Sequence, residues 1–174
     1  MNKTLVLGGV KSGKSRLAEQ LAKQSGLDVI YIATATADDD EMRQRITHHQ
    51  QQRPKHWQTV EAPISLANTL QQVCKDDNCI LVDCLTLWLT NLLTNDDKSL
   101  VDQEIEDLLS LLPTLPGQLI IVSNETNMGI MPLGELTRQY CDRIGILHQQ
   151  IAEIFDRVIL TVAGLPHVLK GQIE

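Results

Sequence analysis

Short apolar runs alternate along this chain with longer stretches whose apolar positions recur at helical spacing. Residues 4–7, 29–33, 79–83, 119–122 and 158–162 are continuous apolar or β-branched runs with little polar alternation, the pattern of strands buried on both faces. Residues 57–60 predict one more short strand. Between them, 14–23 carries Leu17, Ala18 and Leu21 on one face, and 63–73 predicts a helix opened by Pro63. Val101, Ile105, Leu108, Leu109 and Leu112 form the inner stripe of another helix. Leu136, Tyr140, Ile144, Leu147, Ile151 and Phe155 mark a longer one. Residues 85–93 are apolar nearly all round and predict a helix buried on more than one side. The acids Asp38, Asp39, Asp40 and Glu41 suit the positive end of a helix dipole, so a helix is expected from there to about Gln51. Gly164-Leu165-Pro166 reads as a turn after the last clear strand.

Strands alternating with helices imply a mainly parallel sheet covered by helices on both faces. A chain of 174 residues is long enough for one domain with a real core and too short for two, so 1–174 is expected to be a single domain. The formal net charge of −7 argues against a general nucleic-acid or anionic-membrane binder. The most apolar stretch, 80–93, is interrupted by Asp83, Thr86, Thr90 and Asn91 and is too short for a membrane span. The chain enters a strand at once, with no signal peptide, so a cytoplasmic location is expected. Cys74, Cys79, Cys84 and Cys141 form no C-x-x-C pair and are expected to be unbridged thiols in a reducing compartment.

One junction carries specific chemistry. Gly8-Gly9-Val10-Lys11-Ser12-Gly13-Lys14-Ser15 fulfils the pattern G-x-x-x-x-G-K-S between the first strand and the first helix. Glycines at both ends allow the loop to turn its backbone N–H groups inward onto phosphate oxygens, assisted by the helix N-terminus. Lys14 supplies a point charge for the outer phosphates, and the Ser15 hydroxyl suits Mg²⁺. Such a loop needs an acid at the end of a neighbouring strand, and Asp83 ends the run Ile80-Leu81-Val82; as a metal partner it competes with a capping role for the following helix. The fold expected is therefore the three-layer α/β P-loop NTPase fold. No Asn-Lys-x-Asp guanine signature is present, so the loop leaves the base and the reaction open.

His48 and His49 lie on the helix expected after the second strand. His49 falls on the apolar stripe with Met42 and Ile46, whereas His48 shares the polar face with Glu41, Gln44 and Arg45. A polar-facing neutral imidazole can attack phosphorus.

Nearly end to end, the chain resembles the bifunctional adenosylcobinamide kinase / adenosylcobinamide-phosphate guanylyltransferase family of cobalamin biosynthesis. The resemblance rests on the loop with Arg16, Tyr31-Ile32-Ala33-Thr34, Asp39 to Met42, Arg45-Ile46, His48, Arg53-Pro54, Trp57, Thr59 and Glu61. It continues through Thr90-Asn91-Leu92-Leu93, Asn124-Glu125, Gly129-Ile130, Pro132, Arg138, Asp142 and Gly145. It implies phosphorylation of adenosylcobinamide by ATP or GTP, then transfer of GMP from GTP to adenosylcobinamide phosphate through a guanylylated histidine, which matches His48. Nucleotide contacts are implied at the loop, Thr34, Ala35, Thr36, Gln51, Gln52, Arg53, Pro54, Glu61 and Asp83, with Glu61 able to read the donor edge of guanine. A homo-oligomer, a trimer by family, is implied as well.

Asn124 and Glu125 end a strand where open α/β sheets place ligand loops; substrate binding, ordering of the phosphate site and turn formation are all open there. Arg138 and Asp142, four apart on a helix, are expected to pair. The chain departs from the family pattern at Asn127, Cys141 and His148, which puts details of corrinoid handling in doubt. Two other readings of the loop are a small-metabolite kinase without a covalent intermediate and a non-enzymatic GTP-binding subunit.

Overall fold

The computed structural model describes residues 2–36, 43, 54 and 56–172. Seven strands form one sheet: β1 (Asn2–Gly8), β2 (Asp28–Ala33), β3 (Gln58–Glu61), β4 (Asn78–Asp83), β5 (Gln118–Asn124), β6 (Arg157–Val162) and β7 (Leu165–Lys170), in the order β3-β2-β4-β5-β1-β6-β7. All neighbouring pairs are parallel except β6 with β7. The helices are α1 (Lys14–Gln24), α2 (Leu66–Val73), α3 (Leu85–Thr94), α4 (Ser99–Leu111) and α5 (Glu135–Ile154). The helix expected over 38–51 lies outside the described residues.

Alternate residues of each central strand feed two cores. Leu5, Leu7, Ile80, Val82, Leu119 and Ile121 pack beneath α2 to α5, together with Trp88 and Phe155. Val6, Cys79, Leu81, Ile120 and Val122 pack with Ala18 and Ala22 of α1 and with Trp57. Burial on both faces removes any polar alternation, which is why these strands appear as continuous apolar runs. As its composition requires, α3 buries Leu85, Trp88, Leu89, Leu92 and Leu93. Trp88 satisfies its indole N–H on the Ile64 carbonyl, at 2.6 Å.

Two expectations are corrected. Gly164-Leu165-Pro166 does not simply end the fold: Leu165 and Pro166 begin β7, which returns antiparallel along β6. All six β7 residues are exposed, so no burial pattern betrays the strand, and its proline is tolerated because the strand is at the sheet edge. Arg138 donates to the Leu133 carbonyl rather than to Asp142. All four cysteines are free thiols.

Candidate functional site

Strands β1, β2, β4 and β5 run parallel, so their C-terminal ends share one edge. The glycine loop leaves that edge from the interior strand β1. Lys11 has φ 55° and Gly13 φ 100°, the left-handed turns that let successive amides face one concavity. At Gly8 the requirement is space: a Cβ there would lie 2.4 Å from the Thr161 carbonyl oxygen and 2.5 Å from Ser12 Oγ. The loop is buttressed from outside by the β6–β7 turn, where Gly164 N–H donates to Ser12 O at 2.8 Å. A Cβ on Gly13 would meet Gly164 Cα at 3.1 Å. The hairpin is thus part of the loop's foundation. The only sequence sign of this was the glycine at 164, which a turn alone explained.

Lys14 is 7 % exposed, and its ammonium caps the Gly9 carbonyl at 2.5 Å. Burial lowers its pKa, while Cys84 and Asp83 act in the opposite sense. That influence places the Asp83 carboxylate within electrostatic reach of the loop lysine. Asp83 is half-buried at the end of β4, and no side chain caps α3, which leaves the carboxylate available to a cation. Ser15, half-buried in the first turn of α1, offers a second oxygen. Mg²⁺ commonly takes only one or two protein oxygens beside phosphates and water, so this sparse pair fits a nucleotide-borne ion. Among the described residues no cluster of three or more His, Cys, Asp or Glu could hold a metal alone.

A polar knot sets the edge beside Asp83. Thr34 is fully buried; its hydroxyl donates to Cys84 O at 2.7 Å and accepts from Cys84 N–H at 2.8 Å. Its side chain is therefore spent on tying β2 to β4, and Ala35 and Thr36, both half-buried, are the more accessible members of that segment. Asn91 of α3 donates through Nδ2 to Thr34 O at 2.8 Å and to Pro63 O at 3.0 Å. One side chain so joins the ends of two segments flanking the site. Asn91→Ala leaves both carbonyls without this donor, at a cost of about 2 kcal/mol. Thermal denaturation should show a midpoint lower by about 6 °C.

Glu61 is exposed at the end of the edge strand β3, in register with Ala33. Four inter-strand steps separate β3 from β1, about 19 Å at ordinary spacing. The fold thus puts Glu61 on the same edge as the loop and well away from it. Pro54 is half-buried and accepts from Trp57 N–H at 3.1 Å. His48, Gln51, Gln52 and Arg53 lie outside the described residues.

On the other side of Asp83, β5 delivers Ser123, Asn124 and Glu125. Asn124 N–H donates to Thr86 Oγ1 at 2.8 Å, and Glu125 N–H donates to Gly8 O at 2.9 Å. The three departures noted in the sequence converge here. His148 Nε2 lies 2.8 Å from Ser123 Oγ. Asn127 donates from its main chain to Glu125 Oε1 at 2.8 Å and from Nδ2 to Cys141 O at 2.8 Å. The group joins the end of β5 to α5 through contacts 14 and 25 residues apart in sequence, so local spacing gave no sign of it.

A mainly parallel sheet with a glycine loop, a buried lysine and a strand-end acid at one edge defines a P-loop NTPase-fold, nucleotide-binding protein. Solved structures agree on the fold. The flagellar accessory protein FlaH from Methanocaldococcus jannaschii superposes with a TM-score of 0.51 at 16 % identity, covering 98 % of this chain and 79 % of that one. The type III secretion ATPase EscN from enteropathogenic E. coli gives 0.57 at 14 % identity, over 91 % of this chain and 41 % of that one. Residues 4–169 match the family described as cobinamide kinase / cobinamide phosphate guanyltransferase, and the chain belongs to that family. The bifunctional adenosylcobalamin biosynthesis protein CobP of Pseudomonas aeruginosa is 59 % identical over 168 residues, 97 % of each chain. The corresponding CobU protein of Escherichia coli K12 is 38 % identical, over 92 % of this chain and 96 % of that one.

Proposed function

We propose that this protein carries out two successive transfers: phosphorylation of adenosylcobinamide by a nucleoside triphosphate, and transfer of GMP from GTP to the resulting phosphate, giving adenosylcobinamide-GDP. The observation that carries the reading is an intact, hairpin-buttressed phosphate loop in a chain that matches this family over residues 4–169. In the kinase step Lys14 and the loop amides hold the triphosphate while the substrate hydroxyl attacks the γ-phosphorus; positioning and charge stabilisation do most of the work. In the second step His48 attacks the α-phosphorus of GTP and pyrophosphate leaves; the substrate phosphate then takes GMP from the imidazole. Arg53, five residues after His48 in the sequence, adds positive charge for the phosphates. Bound Mg²⁺, with Ser15 and Asp83 as its protein oxygens, would neutralise part of the phosphate charge. Glu61, far along the sheet edge from the loop, suits the base end of a nucleotide whose phosphates sit at β1, and its carboxylate would accept from the guanine donors.

The four free thiols support a reducing, cytoplasmic setting. No helix among the described residues is long and apolar enough to cross a membrane. Assembly into a homo-oligomer is supported by exposed Met128, Ile130 and Leu133 before α5.

The decisive assay incubates the protein with adenosylcobinamide and either ATP or GTP, then resolves the corrinoid products by mass. Adenosylcobinamide phosphate should form, and with GTP adenosylcobinamide-GDP should follow. Phosphate without the GDP adduct would leave a metabolite kinase. Nucleotide binding with neither product would leave a non-enzymatic GTP-binding subunit.

A further inference from the structure

His148 is 6 % exposed and takes no part in the chemistry above. Its Nε2 contacts Ser123 Oγ, while Nδ1 is buried without a hydrogen-bond partner and faces Glu125 Oε2 at 3.8 Å. Ser123 is fully buried, so this Ser–His–Glu line cannot serve as a hydrolytic triad. Its open end is Glu125, whose side chain is 17 % exposed. The main chain of Glu125 is bonded to Gly8, the first residue of the phosphate loop, and its Oε1 is fixed by Asn127 N–H. Among the described residues no lysine or arginine pairs with Glu125. A carboxylate held beside the loop and not neutralised by a fixed cation is a competent base.

We propose that Glu125 accepts the proton of the attacking substrate hydroxyl in the kinase step, and that His148 is the positioning residue that holds its carboxylate in place. This rests on the kinase reading above. The hydroxyl O–H bond breaks as its proton passes to Glu125. The new O–P bond forms as the bond between the γ-phosphorus and the bridging oxygen breaks, and that electron pair leaves with the nucleoside diphosphate. The proton returns to solvent when product departs. The 3.8 Å gap is of the kind that closes on substrate binding.

Burial lowers the His148 pKa, opposed by Glu125. The ring is therefore neutral near pH 7 and gains charge only below its ordinary value of about 6.5, where pairing with Glu125 weakens the carboxylate as a base. Tyr140, also within reach of Glu125, has its hydroxyl pushed up to about 12 and does not titrate in this range. Cys84, next to Tyr140, is pushed up to about 11 and stays neutral.

The test measures kinase kcat and KM for Glu125→Gln, His148→Leu, His148→Asn and the Glu125→Gln/His148→Leu double variant, from about pH 5 to pH 8. Glu125→Gln should lower kcat about 100-fold with little change in nucleotide KM. His148→Leu should lower kcat about tenfold. His148→Asn, which keeps a polar group toward Ser123, should recover most of that loss and slow less than wild type on acidification. The double variant should be no slower than Glu125→Gln alone, because His148 acts through Glu125. Additive losses, or losses confined to KM, would overturn the proposal. Independently of activity, the NMR titration of His148 should move to lower pH in Glu125→Gln, because the carboxylate favours the imidazolium; an unmoved midpoint would overturn the coupling. A wild type that leaves adenosylcobinamide unphosphorylated would instead overturn the kinase reading, and the proton-acceptor role with it.

Discussion

Label from the α-phosphate of GTP should attach to the wild-type chain in the presence of magnesium, and His48→Ala should take up none. A phosphoramidate on imidazole survives base and is lost in acid, so the label should show that stability and no other. Direct attack of a substrate phosphate on GTP brings two anions together, whereas a neutral imidazole approaches the α-phosphorus without that repulsion and splits one difficult step into two easier ones. The choice of His48 over His49 comes from the sequence pattern: in the helix expected over 38–51, only His48 would share the polar face with Gln44 and Arg45. Because the nucleophile serves only GMP transfer, His48→Ala should keep its kinase rate within about threefold of wild type. Equal labelling of wild type and variant would remove His48 from the mechanism; concurrent loss of the kinase would mean that the substitution damages the common nucleotide site.

Lys14→Met, by contrast, should remove both reactions together. Lys14 is buried inside the loop and reaches the Gly9 carbonyl at 2.5 Å, so its charge sits where the outer phosphates of a nucleotide would bind. Burial lowers its pKa, but Asp83 supports the charged form. Methionine keeps the length and apolar stem and deletes the charge. Loss of one such preorganised group costs about 10²–10³-fold in turnover, and here the loss should fall on kinase and guanylyl transfer alike. Gly9 is exposed, so water can satisfy the carbonyl that Lys14 releases, and the thermal midpoint should hardly move. A variant that lost only one reaction would show that the two triphosphates do not share this loop.

The two variants test features that differ in how they could be found. The loop around Lys14 is legible because its physics is local: two glycines, a lysine and a serine at fixed spacing suffice, and the strand before and the helix after them are strong patterns. Asp83 is legible for a related reason, as a charge can end an apolar strand but not sit within it. The alternation of buried strands and amphipathic helices fixed the α/β class, and full burial of α3 followed from its composition.

Other features had no local signature. Strand β7 is exposed at every position, so no periodicity marks it, yet its turn supports the phosphate loop through Gly164 and Ser12. Thr34, implied as a nucleotide contact by the family resemblance, also uses its buried hydroxyl to tie β2 to β4, which no local pattern announced. Asn127, Cys141 and His148 stood out in the sequence only as separate departures, and folding gathers them around Glu125.

By itself, then, the sequence determined the class of fold, the phosphate loop with Lys14 and Ser15, and the acid at Asp83, because each depends on residues close together in the chain. The tertiary structure alone decided the strand order, the hairpin behind the loop and the Ser123–His148–Glu125 line. Those depend on which strands become neighbours, and the packing of β5 against β1 and of α5 over the sheet sets that choice across more than a hundred residues.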